Sequence, residues 1–196
     1  MIEEYKISKS LLEEFEKPLI DLPWFYMDKS TYYKDSELDE FVNDTTHDTP
    51  QMVHSLYKNN SPNSQLFNLY HKAFDDVGIK ILSIFRMKLN LNFPSSKQKT
   101  HQFIHRDIER EGELIGIHKS MIVYLNDTDG DTIFFDDNLK EIQRVKPEKG
   151  KAIVFDSVLN HAAENPIKSD CRIVANYIFV PYEIKKELIN YRKQSI

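Results

Sequence analysis

Two residues with metal-ligand side chains stand two positions apart near the middle of the sequence. His105 and Asp107 follow the apolar residues 103–104 and precede a run of charged residues. Successive side chains on a strand point to opposite faces, so residues at i and i+2 share a face. If this segment is extended, the imidazole and the carboxylate point into the same space. The pair then supplies two ligands of a metal site and requires a third.

His161 is the candidate for the third ligand, because it directly follows the apolar strand pattern of 152–155. Two imidazoles and one carboxylate form the facial triad of non-haem Fe(II) oxygenases, which leaves metal positions open. The same ligand types also bind Zn²⁺ or Mn²⁺, so a metal-dependent hydrolase or isomerase stays open. In a chain with seven histidines, an isolated His-x-Asp pair is also common without metal, and His161 alone is typical of a loop residue.

Arg172 enters an otherwise apolar strand pattern, eleven positions after His161. A buried guanidinium requires an anionic partner, since burying an unpaired charge is costly. A salt bridge at a strand end satisfies this need, and so does a small carboxylate bound by the planar guanidinium fork. The Tyr124 hydroxyl is a candidate second donor to such a carboxylate, although a buried tyrosine is also ordinary core material.

Alternating polarity predicts the strands that must position these residues. In 85–93 the odd-numbered residues are apolar and the even-numbered ones are Arg86, Lys88, Asn90 and Asn92. The candidate strands are one from about 79 and those at 101–107, 117–125, 132–136, 139–145, 151–156, 160–163 and 171–180. Turn-forming sequences at 126–131, 136–138 and 147–150 separate several of them.

Short strands without intervening helices predict a mainly β protein, a cupin-like double-stranded β-helix or jelly roll. We expect one domain over 1–196, with a helical and loop-rich part at 1–78 whose helices pack on one sheet. The jelly-roll core spans 79–180, and 181–196 contains a short closing helix. This length fits one hydrophobic core better than two.

Composition narrows the partners and the compartment. The 196 residues carry a formal net charge of -5, without a basic block, which argues against nucleic acid. No apolar run approaches the length of a membrane span, and the charged N-terminus lacks the apolar core of a signal peptide. The single cysteine cannot form an internal disulfide, so we expect a cytoplasmic protein. Its oligomeric state stays open.

Several motifs together resemble the 2-oxoglutarate and Fe(II)-dependent oxygenase superfamily, in particular its prolyl 4-hydroxylase-like branch. These motifs are HRD (105–107), YLND (124–127), GDTIFFD (130–136), GKAIVFDS (150–157), NHAAENP (160–166) and CRIVANYIF (171–179). The order is His-x-Asp, then His, then a basic residue about ten positions on. Small phage-type members are most similar, and they also carry stretches like 23–26 and 86–91 of this chain.

The resemblance implies a dioxygenase that hydroxylates a small-molecule or peptide substrate, such as a prolyl or other amino-acid side chain. His105, Asp107 and His161 would bind Fe(II). Arg172 would pair with the distal carboxylate of 2-oxoglutarate, and Tyr124 would support it. O2 is the second cosubstrate, and 2-oxoglutarate is converted to succinate. The resemblance assigns no role to Lys88, Asn90, Asn126 or Asn176.

Two further implications concern substrate and class. The branch that repairs alkylated nucleic acid carries a second arginine six positions after the first, and this chain has Ile178 there. We therefore expect no nucleic-acid substrate and no membrane partner. The alternative to an enzyme also stays open: a non-catalytic cupin-like module that holds a metal or a small acid.

Overall fold

The computed structural model describes residues 1–28, 49–95, 101–108 and 117–184. These residues form two α-helices, α1 (Lys9–Glu16) and α2 (Phe67–Asp76), and a 3-10 turn at Lys17–Leu19. The strands among them are β1 (Glu3–Lys6), β2 (Phe25–Met27), β3 (Gln51–Lys58), β4 (Ser61–Pro62), β5 (Ile81–Asn92), β6 (Lys119–Tyr124), β7 (Thr132–Phe135), β8 (Glu141–Val145), β9 (Lys151–Asp156), β10 (Asn160–Ala163) and β11 (Arg172–Pro181).

The strands form a large and a small antiparallel sheet that face each other. The large sheet has the order β1-β9-β6-β11-β5-β3-β2, with β4 paired to β3, and the small sheet has the order β10-β7-β8. One apolar cluster lies between the sheets and includes Ile122, Tyr124 and Phe155 of the large sheet with Phe134 and Val145 of the small one. This arrangement confirms the predicted mainly β jelly roll.

Both helices cover the other face of the large sheet, as the sequence predicted. Their apolar stripes are buried, with Phe15 of α1 stacked on Tyr70 of α2 at 4.4 Å between ring centroids. Phe74 then packs edge-on against Tyr177 and Phe179 of β11, at 5.3 and 5.0 Å. The helices therefore support the back of the sheet whose front carries the candidate site.

The two faces of strand β5 differ: one packs in the core and the other lines the cavity. Its apolar residues Met87 and Leu89 are fully buried in the helix-side core. Its polar residues Arg86, Lys88, Asn90 and Asn92 line the cavity on the opposite face. The alternation read from the sequence is thus confirmed over 86–92, whereas Phe85 and Phe93, which it placed on the apolar face, are exposed.

Two features of the N-terminal and central parts differ from the prediction. Strands β1 to β4 lie in 1–78, which the sequence indicated as helices and loops only. β1 pairs with β9 and β3 with β5, so these strands depend on partners distant in sequence. In 101–107 the predicted strand is wrong: His101 and His105 form only isolated bridges, to Glu164 and His161.

Two further predictions concern the C-terminal segment and the membrane. The predicted helix within 181–196 lies, beyond residue 184, outside the described residues. Among the helices that the structure describes, none has the length and apolarity that crossing a bilayer requires.

Candidate metal centre

The structure brings His105, Asp107 and His161 together, as the sequence predicted. One ligand atom from each residue lies within 4.8 Å of the others. The His105 and His161 rings are 4.4 Å apart between centroids, and His161 Nε2 lies 3.8 Å from Oδ2 of Asp107. The two histidines also exchange both backbone N–H···O bonds at 2.9 Å. Three ligand atoms of the right types therefore converge on one point.

Backbone carbonyls fix the orientation of both imidazoles. His105 Nδ1 lies 3.1 Å from the carbonyl oxygen of Phe103, and His161 Nδ1 lies 2.9 Å from that of Leu159. A carbonyl oxygen can only accept, so Nδ1 carries the proton in each ring. Nε2 is then the unprotonated nitrogen, and it is available to a metal.

Three polar neighbours orient the Asp107 carboxylate, whose side chain is only 2% exposed. Arg86 Nη2 donates to Oδ1 over 2.9 Å, and the Ser120 hydroxyl donates to Oδ2 over 2.7 Å. Ser120 is in turn 2.9 Å from the hydroxyl oxygen of Ser157. This chain of contacts holds the carboxylate in one orientation.

Electrostatics keep Asp107 and His105 in ligand form. Burial raises the pKa of Asp107, but His161 and Arg86 outweigh it and hold this pKa at about 2. Burial, followed by the neighbouring His161, lowers the pKa of His105 to about 3. A carboxylate and a neutral imidazole are the forms that bind a metal ion.

Arg172 lies at the start of β11, buried and without an acidic partner among the described residues. Its Nε donates to the carbonyl oxygen of Gly130 over 3.0 Å, and its Nη2 donates to the Thr132 hydroxyl over 2.9 Å. Burial lowers the pKa of this guanidinium. These neutral contacts orient the fork and leave its charge uncompensated, which favours an anionic ligand.

Tyr124 contacts Arg172 from beside the cavity rather than lining it. Its ring centroid lies 5.6 Å from the guanidinium carbon, and its hydroxyl is 2.7 Å from the Thr132 hydroxyl. Thr132 therefore links the two predicted residues and itself faces the cavity. The sequence did not indicate Thr132, although its position opening the 132–136 strand pattern was a possible signal.

Gly130 permits the close approach of the loop to Arg172. A Cβ atom at this position would lie 2.5 Å from the carbonyl oxygen of Glu164 and 3.2 Å from Cδ of Arg172. The first distance is below van der Waals contact, and its partner is backbone, so a larger residue must displace the chain. This glycine is part of the Arg172 site.

A cavity of about 890 Å³ connects the three ligands with Arg172. Lys88, Asn90 and Asn176 line it, whereas Asn126 does not. Asn126 instead donates to the Cys171 carbonyl oxygen over 2.9 Å and accepts from the Ile173 amide over 2.8 Å. The lining residues that the sequence did not indicate include Phe25, Met27, Gln51, Val53, Ser55, Gln102 and Asn160.

Comparison with known proteins gives one family match. Residues 91–180 match the family model of the 2OG-Fe(II) oxygenase superfamily. No curated protein matches the sequence at a significant level.

Solved structures with the same architecture include three of known type. A prolyl-4-hydroxylase from Pseudomonas putida is 13% identical, with 91% of this chain and 92% of that chain covered and a TM-score of 0.51. A viral collagen prolyl hydroxylase from Paramecium bursaria Chlorella virus-1 is 15% identical, with 91% and 96% covered and a TM-score of 0.51. The alpha-ketoglutarate-dependent epimerase SnoN of nogalamycin biosynthesis is 11% identical, with 91% and 78% covered and a TM-score of 0.60. At these identities the likeness shows a shared fold.

Proposed function

We propose that this chain, whose residues 91–180 match the family model of the 2OG-Fe(II) oxygenase superfamily, hydroxylates a small-molecule or peptide substrate. The chain is a 2-oxoglutarate-dependent non-haem iron oxygenase, and the proposal concerns its reaction outcome and its site residues. The observation that carries the proposal is one cavity shared by a complete ligand set and an unpaired buried guanidinium. An oxygenase of this class needs both.

The ligand set fits Fe(II). Two imidazole Nε2 atoms and one carboxylate oxygen converge. A hydrogen bond with a neighbouring residue orients each of the three groups. Such outer contacts hold ligands in position and tune their affinity. We assign His105, Asp107 and His161 as the iron ligands on this basis.

The Arg172 region fits the distal carboxylate of 2-oxoglutarate. Thr132 and Asn92 add donors beside the guanidinium, and Asn92 pairs with Arg172 in adjacent strands. The Asn92 side chain is buried, and its Nδ2 has no hydrogen-bond partner among the residues that the structure describes. A carboxylate accepts from such a group of donors, and a bidentate contact with arginine gives both strength and direction.

When bound, iron, 2-oxoglutarate and O2 supply oxidative decarboxylation to succinate coupled to oxidation of a substrate C–H bond. The protein's residues position the reactants. Arg172 fixes one end of the cosubstrate, while the oriented imidazoles and the Asp107 carboxylate fix the metal. The apolar cavity residues Val53, Ile122 and Val174 limit water at the reaction centre.

The test uses the anaerobic protein loaded with Fe(II). Addition of 2-oxoglutarate is expected to produce the weak visible charge-transfer band of a chelated iron–keto-acid complex, and O2 is expected to yield succinate. His161→Ala removes one ligand and abolishes the band, whereas His71→Ala, on α2 behind the sheet, retains it. Absence of the band from the wild-type protein contradicts the proposal.

A further inference from the structure

The cavity is cationic although the chain is acidic. Among the described residues that line it, five carry positive side chains and two carry carboxylates. The positive ones are Lys58, Arg86, Lys88, Arg106 and Arg172, and the acidic ones are Asp107 and Asp137. The chain as a whole has a formal net charge of -5. A cleft with one sign of charge concentrates ligands of the opposite sign.

Ion pairs and the cosubstrate account for three of these cations. Arg86 bonds Asp107 at 2.9 Å, and Arg106 bonds Asp137 at 3.2 Å. Arg172 is assigned to 2-oxoglutarate under the proposed function. Of the two lysines, Lys58 is exposed at the end of β3, whereas Lys88 lies half-buried in the middle of β5. Lys88 is therefore the inner cation that forms no ion pair with any of the described residues.

Lys88 makes no hydrogen bond and no ion pair with any residue in the described ranges. Burial, and then Arg86, lower its pKa to about 7, which reflects the cost of an ammonium group left without a partner. A hydrophobic residue would fill the same place on the strand without this cost. A bound anion would remove the cost, since it supplies the missing countercharge.

The neighbours of Lys88 in the sheet are polar, and two of them have a side-chain oxygen without a hydrogen bond among the described residues. Asn176 is opposite Lys88 on β11, and Asn90 is the next residue along β5 on the same face. The side-chain Oδ1 atoms of Asn90 and Asn176 are both buried and form no hydrogen bond within the described part of the chain. Ser55 is opposite Lys88 on β3. These four residues form a continuous polar patch on the cavity floor, which we call the Lys88 patch.

The Lys88 patch is separate from the Arg172 site. Asn176 and Arg172 are four residues apart on β11, which corresponds to about 13 Å along a strand. The metal ligands approach from the opposite wall, where 101–108 bridges to β10. A molecule on the Lys88 patch can thus lie beside the metal while 2-oxoglutarate occupies Arg172.

We propose that the Lys88 patch binds a carboxylate of the substrate, so that the substrate is a small carboxylic acid carrying a neighbouring N–H or O–H donor. This inference rests on the proposed function, because it assigns Arg172 to the cosubstrate. Lys88 supplies the positive charge, and the Asn90 and Asn176 oxygens accept from the donor beside the carboxylate. An N-acyl amino acid has this combination of groups.

The experiment compares matched acids and amides on the anaerobic protein loaded with Fe(II) and saturating 2-oxoglutarate. The probes are N-acetylalanine, N-acetylleucine and N-acetylproline and their primary amides, and binding is measured by perturbation of the charge-transfer band. We expect at least one acid to bind about tenfold more tightly than its amide. Lys88→Met removes that preference, Lys88→Arg keeps part of it, and Lys140→Met, on the exposed surface, keeps all of it.

Three results overturn the inference, and one result overturns the proposed function instead. Equal binding of every acid and its amide, including no binding of either, excludes a carboxylate subsite. If the preference for the acid survives in Lys88→Met, another residue recognises the carboxylate. Weaker 2-oxoglutarate binding in Lys88→Met, at unchanged metal affinity, assigns Lys88 to the cosubstrate. Absence of the band from the wild-type protein contradicts the proposed function before any probe is added.

Discussion

Arg86 Nη2 lies 2.9 Å from Oδ1 of Asp107, so a residue of the sheet floor orients the carboxylate of the candidate metal centre. The guanidinium both donates a hydrogen bond and holds the pKa of Asp107 low. A ligand that is oriented and ionised binds a metal more tightly than one that must first be rearranged.

Replacement of Arg86 by methionine is therefore expected to weaken metal binding by about 10- to 100-fold. The pKa of Asp107 rises in this variant because a cause of its depression is removed. Titration of the apo protein with Fe(II) or Mn(II) measures the effect. Arg106→Met is the matched control, since Arg106 also faces the cavity but pairs with Asp137. Equal metal affinity in the two variants would show that Arg86 does not support the metal ligand.

Arg172→Met separates cosubstrate binding from metal binding. The metal affinity stays unchanged because Arg172 contacts none of the three ligands, whereas 2-oxoglutarate binding weakens by about 10- to 100-fold. Titration with Fe(II) and with 2-oxoglutarate, each followed by the anaerobic charge-transfer band, measures the two affinities. Lys72→Met removes a cation that pairs with Glu14 on the helix side of the large sheet, so it leaves both affinities as they are. Unchanged 2-oxoglutarate affinity in Arg172→Met would remove this residue from the cosubstrate site.

Gly130→Ala tests the close packing beneath Arg172. The added Cβ meets the Glu164 carbonyl oxygen at 2.5 Å, so we expect a loss of about 1–3 kcal/mol in the free energy of unfolding. We also expect weaker 2-oxoglutarate binding, because the displaced loop carries the carbonyl that orients Arg172. Gly78→Ala is the comparison: Gly78 has φ +74 and ends α2 far from the cavity, so this change destabilises the fold but leaves cosubstrate affinity intact. If Gly130→Ala binds 2-oxoglutarate with wild-type affinity, the packing of Gly130 does not control cosubstrate binding.

The metal-free protein is expected to lose stability as the pH falls below about 6.5. In the folded state the pKa of His105 is about 3, so between these values the unfolded chain binds a proton that the folded chain does not. The free energy of unfolding then decreases by up to about 1.4 kcal/mol for each pH unit lowered. Asp107, with its pKa depressed to about 2, contributes stability that is lost only at lower pH.

Urea unfolding at neutral pH and near pH 5 measures this dependence. His105→Gln cannot take up the proton, so its stability changes less over this range, whereas His71→Gln retains the wild-type slope. An identical slope in His105→Gln and wild type would show that another group causes the acid sensitivity.

Local patterns in the sequence predicted much of the fold and of the site. The alternation along 85–93 separated the cavity face of β5 from its core face, and the His-x-Asp pair, His161 and Arg172 do meet at one cavity. Residues 91–180 match the family model of the superfamily that the motifs indicated. The first of these successes follows from the period of a strand, which directly determines which side chains share a face.

The remaining features depend on contacts between segments distant in sequence. Asn92 acquires its position beside Arg172 only through the β5–β11 register, and Gly130 matters only because Glu164 and Arg172 pack against it. β1 becomes the edge strand of the large sheet by pairing with β9. The extended segment at 101–108 is held by single bridges, which a strand pattern cannot distinguish from a full ladder. No period of the sequence encodes these relationships.

The mutual backbone bonds of His105 and His161 also have a consequence for local opening of the structure. The amide hydrogen of each residue is protected by the carbonyl of the other, so a single fluctuation that lifts 101–108 from β10 exposes both amides to exchange with solvent. That fluctuation also separates the two imidazoles. A metal held by both imidazoles would oppose it, and hydrogen–deuterium exchange at these two amides should then slow in concert with metal occupancy.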